Sequence, residues 1–281
     1  MTNSVISLRH LVRRFWKKVA FTWLLVTFEG ILILLFPLVI GWAVDDLLEQ
    51  RWAGIVQLGF LCVITLLIGA GRRFYDTRIY SGIYRVVSNE LVHREKERQS
   101  TTSTISARTN LFTEFIEFLE HALPGIINNV IGFAGTVVII FFINTEVFLA
   151  CLAGTAAVAA IYALSEKKIF FINRKQNDEF ERQVDVIVEN DPKEIDSHFR
   201  GIAKWYVKLS DLETRNFSLT WLVLSAVLLF SIVAAVSTEG ASYGQTLSII
   251  MYVFGFMESI EAFPEYYQEM IRLREITNRL G

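Results

Sequence analysis

Read for hydrophobic and polar positions, the chain falls into six long apolar blocks separated alternately by short and long polar segments. The blocks are residues 19–44, 54–71, 122–143, 147–164, 217–237 and 243–263. Each is of the order of 17–25 residues, the length a helix rising about 1.5 Å per residue needs to cross a bilayer. None alternates apolar and polar residues as a barrel strand does, so the pattern predicts six membrane-spanning helices.

The two long intervening segments, about 72–121 and 166–216, keep a different rhythm. Tyr75, Ile79, Ile83, Val86 and Leu91 recur at helical spacing, as do Leu111, Phe115 and Phe118 on the return. In the second segment Phe180, Val184 and Ile187 repeat the pattern, followed by Ile195, Phe199, Ile202, Tyr206 and Leu209. These stripes predict helices that continue beyond the bilayer for roughly 30 Å and pack against something. Each hairpin is punctuated near its tip. Ser100, Thr101 and Thr102 begin a run of hydroxyl residues ending at Thr104, poor for a helix interior and good for a turn. In Asp191-Pro192-Lys193-Glu194 the pattern predicts a helix start, with Asp191 as cap, Pro192 in the first position and Glu194 closing a capping box. Two readings stay open: hairpins that only rigidify the spans, and tips that dock a cytosolic partner.

Charge orients the spans. Every Lys and Arg except Arg51 lies in the N-terminal segment, the two long loops or the C-terminal tail. The short opposite loops carry Asp45, Asp46, Glu49, Glu146 and Glu239 with Arg51. The basic side is therefore expected in the cytosol, with both termini there. Trp16 and Trp23 near the inner end of the first span, with Trp42 and Trp52 near the outer face, suit interfacial belts. Composition agrees with the spans, since 53% of the chain is hydrophobic and Phe alone occurs 22 times, more than one soluble core of this length can hide. A net charge of −2 argues against nucleic acid as a partner. The first apolar block is too long for a signal peptide and is expected to be retained. Cys62 and Cys151 both lie in apolar runs, and His10, His93, His121 and His198 are scattered, so no metal site is expected. No nucleophile–base pair points to catalysis.

Polar residues inside the spans are the candidates for transport. Glu29 lies ten residues into the first span, and Phe28, Ile31 and Leu32 offer no local partner. A carboxylate there is costly unless paired, hydrated or protonated. It is either a site for a cation or proton, or a hydrogen-bonded group fixing a helix contact. Glu258, Glu261 and Glu265 share one face of the inner part of the sixth span, as a cavity wall or as interfacial acids partnered by Arg272 or another helix. An aqueous chamber shared by Glu29 and this row is an expectation to test. Asn128, Asn129, Gly125, Gly132 and Gly135 read as packing residues, and the fourth span is rich in small residues that let helices approach closely.

Certain segments carry a family resemblance. Phe36-Pro37-Leu38-Val39-Ile40-Gly41 leading to Asp45-Asp46 resembles the first span of ABC exporter transmembrane domains. Ser106-Ala107-Arg108 resembles the Ser-Arg element after their first coupling helix. Gly240 to Gly244, the sixth span, and Met270-Ile271-Arg272-Leu273-Arg274-Glu275-Ile276 resemble their last span and the basic stretch leading to the ATPase domain. The likeness covers essentially the whole chain, 1–281, as one all-α six-span domain of the type IV fold with two cytosolic helical hairpins.

Two features depart from the family. There is no Gly-Lys dipeptide for a Walker-type phosphate loop and no signature like Leu-Ser-Gly-Gly-Gln. The second loop carries Asn190-Asp191-Pro192 and Leu209-Ser210-Asp211-Leu212-Glu213 in place of the common exporter pattern.

The resemblance implies a homodimer in the plasma membrane, as in a bacterial inner membrane. Spans four and five would cross to the other subunit, and the coupling helices would lie near Ser100–Thr104 and Asp191–Ser197. No cofactor is expected in this chain, so ATP and Mg would come through a separate ATP-binding subunit. The resulting expectation is a transport subunit working by alternating access, not itself an enzyme. The alternatives are proton-driven transport by the same fold, or a membrane anchor or regulatory subunit that does not transport.

Overall fold

The computed structural model describes residues 8–189 and 191–280, with side chains described for residues 14–277 apart from 190. Arg9, His10, Arg13, Asn190 and Arg279 of the sequence reading lie outside the described side chains. The described residues form α1 (Leu8–Leu48), α2 (Ala53–Glu97), α3 (Thr102–Glu117), α4 (Leu123–Ile143), α5 (Thr145–Glu181), α6 (Gln183–Glu189), α7 (Pro192–Ser237) and α8 (Tyr243–Leu280). A π-helical turn, Phe118–Ala122, joins α3 to α4 without a break. Pro124, next to this turn, has no N–H to donate, and a wider turn absorbs such a defect without ending a helix. Among the described residues six stretches of helix are long and apolar enough to cross a membrane, and each holds one predicted block. The 45 residues of α2 and the 46 of α7 make rods of about 70 Å, more than twice a hydrocarbon core. The predicted continuation of the spans as helical hairpins is therefore present.

The chain divides into two compact units, residues 1–144 with 235–281, and residues 145–234. In the first unit α1 runs antiparallel to both α2 and α8. At one end Gly41 and Gly244 bring two backbones together. A Cβ on Gly244 would stand 1.9 Å from the Gly41 carbonyl oxygen, so only glycine permits this crossing. Asp45 then accepts the Gly244 N–H at 2.8 Å and the Ser242 hydroxyl at 2.5 Å. Further along, Ser248 donates to the Pro37 carbonyl at 2.8 Å and Tyr252 to the Leu34 carbonyl at 2.9 Å. Asp46 ties the other neighbour, accepting the Gly54 N–H at 2.8 Å and the Arg51 Nε–H at 3.0 Å.

Toward the opposite end of this unit, α2 and α3 form the first hairpin around a core of Tyr80, Ile83, Val87, Phe112, Phe115 and Ile116, with Val19 of α1 and Ile276 of α8 closing it. In the second unit α5 and α7 are antiparallel. Gly154 lies under Val227, with 2.7 Å between its hypothetical Cβ and Val227 Cγ2. Ser165 donates to Asn216 at 2.8 Å, both buried.

Candidate functional site

Three ionisable side chains meet between α1 and α2. Arg72 donates from Nε to Glu29 and from Nη1 to Asp76 at 2.8 Å. Asp76 and Glu29 are buried, and the Arg72 side chain is only 11% exposed. The sequence provides this meeting through a glycine: Gly69, one turn before Arg72, would put a Cβ 2.9 Å from Glu29 Oε1, so its lack of a side chain makes room for the carboxylate. Two carboxyl groups share one guanidinium. Asp76 Oδ1 is buried with no hydrogen-bond partner. The hydroxyls of Thr22 and Tyr80 are also buried without a hydrogen-bond partner. The arrangement is an ion-paired polar core that retains acceptor and hydroxyl groups to hold a proton or a water molecule.

The partner of Glu29 thus comes from 43 positions further along the chain. Helix register explains why local inspection missed it. Arg14 of α1 meets Glu90 of α2 at 2.8 Å and Phe21 stacks edge-on against Tyr75, so Glu29 comes level with the last turn of the block 54–71. Asp76 had a signal in the sequence. The buried face of α2 reads Asp76, Tyr80, Ile83, Val87, Leu91, Glu95, and both polar ends simply continue its three- and four-residue rhythm.

Glu258, Glu261 and Glu265 are exposed on α8, on the side away from buried Phe256, Met257 and Ile260. Arg272 does not pair with them. It reaches Glu114 at 3.2 Å and Glu269 at 3.9 Å. Among the described residues no hydrogen bond or ion pair joins the row to Glu29, whose carboxylate meets Arg72 of α2. The Asn residues of the third span lie among helices: Asn129 donates to the Ser259 carbonyl at 3.2 Å, and Asn128 lies against Gly30.

The hairpin tips differ in construction. In the first, α2 ends with Gln99 at a φ of 57°, and the Ser100 N–H returns to the Glu95 carbonyl at 3.0 Å, a left-handed helix cap. Thr101 then caps α3 by accepting the Thr104 N–H at 3.3 Å, and Thr102 is already its first residue. Glu95 fastens the turn, accepting from Arg108 at 2.5 Å and from the Ser100 hydroxyl at 2.7 Å. That hydroxyl, with Arg108 adding to it, holds the Glu95 carboxyl below the usual carboxylate range. In the second tip Asp191 accepts the Lys193 N–H at 3.0 Å and Pro192 opens α7, as the pattern predicts. Glu194 does not close a capping box; its carboxyl turns to Glu189, whose carboxyl is raised by the shared hydrogen bond. The separate short helix at this tip is α6, ahead of Asp191. The apolar stripe of this hairpin faces outward: Phe180, Val184, Ile187 and Phe199 are all exposed, whereas Ile172, Gln176, His198 and Leu212 are buried.

Comparison with curated proteins gives no match. The model of one protein family, described as the ABC transporter transmembrane region, matches residues 8–244. That match covers most of the chain and runs from α1 through the Gly41–Gly244 crossing to the start of the sixth span. With six apolar helices and two helical hairpins behind it, this chain is a multi-pass membrane protein and belongs to the ABC transporter transmembrane region family.

Proposed function

We propose that the protein is the membrane-spanning subunit of an ABC exporter-type transporter, working as a homodimer by alternating access, with ATP and Mg bound by a separate protein. The observation that carries this reading is the end of the second hairpin. Phe180, Val184 and Ile187 are exposed there, far along helices whose bilayer-length part is already behind them. Water-facing apolar groups in such a cluster mark a protein contact. The segments around Ser100, Thr101 and Thr102 and around Asp191, Pro192 and Glu194 are the proposed coupling elements. Rigid helices and capped turns suit the transmission of a partner's closure to the spans. The plasma membrane, with both termini cytosolic, is the location that the basic residues favour.

Glu258 and Glu261 favour a dimer with a central aqueous path. Carboxylates exposed within a span are costly against lipid, so this face of α8 lines water or meets a second copy. A second reading, proton-driven transport by the same dimer, has its own observation in the Glu29–Arg72–Asp76 group with the unpartnered Asp76 oxygen.

The separating experiment is purification in mild detergent from native-level expression, with Lys193→Cys carrying a cross-linker and mass spectrometry of the product. A stoichiometric protein with a Walker phosphate loop, cross-linked at this tip, is the expected result. A clean homodimer without such a protein overturns the ATP-driven reading and leaves the proton-driven one, for which Glu29→Gln must then change the pH dependence of transport.

A further inference from the structure

A cavity of about 460 Å³ lies within the second unit, between α5 and α7. Its walls carry three cations, Lys168, Lys208 and Arg215, and a single carboxylate, Asp211. Phe171, Ile172, Leu212 and Trp205 supply the apolar part. Phe171 and Trp205 meet edge to face with centroids 6.3 Å apart, and the Lys208 ammonium lies 4.5 Å from the indole centroid. Among the described residues no carboxylate pairs with Lys168, Lys208 or Arg215 within 4.0 Å; their charge is not spent inside the fold.

Position decides what such a groove meets. Lys168 is four residues past the apolar block 147–164, and Arg215 is two residues ahead of the block 217–237. The buried Ser165–Asn216 hydrogen bond clasps the helices at that level. The groove therefore opens at the surface of the bilayer, roughly 30 Å along α5 and α6 from the hairpin tip. At this depth a ligand has an acyl environment on one side and water on the other. Cations beside an aromatic wall match an anionic headgroup there, with the apolar residues against its glycerol and first methylenes.

We infer that the groove lined by Lys168, Lys208, Arg215 and Trp205 binds the phosphodiester headgroup of an anionic phospholipid in the leaflet that the basic hairpins face. The lipid ties the base of the second hairpin to the membrane surface. This reading is independent of how transport is driven.

The test uses the full chain in a neutral detergent, titrated with phosphatidylglycerol or phosphatidylcholine and read by native mass spectrometry. Phosphatidylglycerol is expected to bind at least tenfold more tightly. The Lys168→Gln/Lys208→Gln/Arg215→Gln variant is expected to lose at least tenfold of that affinity while binding phosphatidylcholine unchanged. A control that removes three cations nearer the tip, Arg182→Gln/Lys193→Gln/Arg200→Gln, is expected to bind as the wild type does. Photoactivatable phosphatidylglycerol on the wild-type chain should give adducts in residues 168–172 and 205–215, a result that does not depend on the variant folding. Equal affinity for the two lipids, an equal loss in the control, or adducts confined to other segments would overturn the proposal. Displacement by millimolar inorganic phosphate would also overturn it, by assigning the groove to a soluble phosphate.

Discussion

Arg72 holds two buried carboxylates at once, and the consequence of removing it follows from desolvation. Replacing it with Met leaves Glu29 and Asp76 buried without their shared cation. Breaking one side of a buried pair costs about 3–5 kcal/mol, and a loss of that size is expected for Arg72→Met in reversible unfolding in detergent. The double variant Glu29→Gln/Arg72→Met should lose less than the sum of the two single changes, by at least about 1 kcal/mol. Strict additivity would show that Glu29 gains nothing from Arg72. Glu95 allows a prediction in pH. Its folded-state carboxyl is held down, first by the Ser100 hydroxyl and then by Arg108, with burial opposing. A depressed carboxylate contributes in full above its unfolded value of about 4.3, and the contribution fades as pH falls through the lower folded value. A spin label on Ser103→Cys is therefore expected to gain mobility only at a pH below the unfolded carboxylate value. Adding Ser100→Ala should move that onset upward, toward the unfolded value. An onset unchanged by Ser100→Ala would remove the hydroxyl as the cause.

Between elements, the tightest constraint is the crossing of α1 and α8. No rotamer can relieve a Cβ placed 1.9 Å from a backbone oxygen, because the obstacle is the other helix itself. Gly244→Ala is expected to cost about 1–3 kcal/mol or more through overpacking. Gly59, where an added methyl group would meet nothing within 4 Å, is its control. Gly59→Ala should leave the melting temperature unchanged or slightly higher, since alanine is the better helix former by up to about 1 kcal/mol. Equal melting temperatures for the two variants would mean that the crossing does not contribute to stability. The same crossing explains the Pro37…Gly41…Asp45 order in α1. Each residue has a partner on α8, namely Ser248 at the Pro37 carbonyl and Gly244 at both Gly41 and Asp45, and Ser242 just ahead of α8 adds a second bond to Asp45.

For the molecule as a whole, what matters is which exposed faces meet lipid and which meet water. Phe142 is 80% exposed in the third span, as suits lipid, whereas Glu258 and Glu261 are exposed acids in the sixth. Single cysteines in a background with Cys62→Ala and Cys151→Ala separate these cases. Glu258→Cys and Glu261→Cys are expected to react with a water-soluble maleimide, and Phe142→Cys is not. If both acid positions stay as silent as position 142, the acidic face does not border an aqueous path.

How much was legible in advance depended on whether the governing physics was local. The six spans were legible because a bilayer imposes length and composition on each helix separately. Asp191 was legible as a cap because a side-chain oxygen and an N–H two residues on need no third element. The resemblance carried by Pro37, Gly41 and Asp45 also held, though their partners on α8 could not be named from one segment. Periodicity placed an apolar stripe on the second hairpin, but the side turned inward holds Ile172, Gln176, His198 and Leu212 instead. Nor could it place Glu29 against Arg72, or bring Lys168, Trp205 and Arg215 around one groove. Periodicity states which residues share a face of one helix. The register between two helices is set by where their side chains interlock, through Gly69 beneath Glu29 and Gly154 beneath Val227. The sequence by itself determined a six-span membrane protein with long helical hairpins; only the tertiary structure decided which buried charges pair and which apolar and basic faces remain open to a partner.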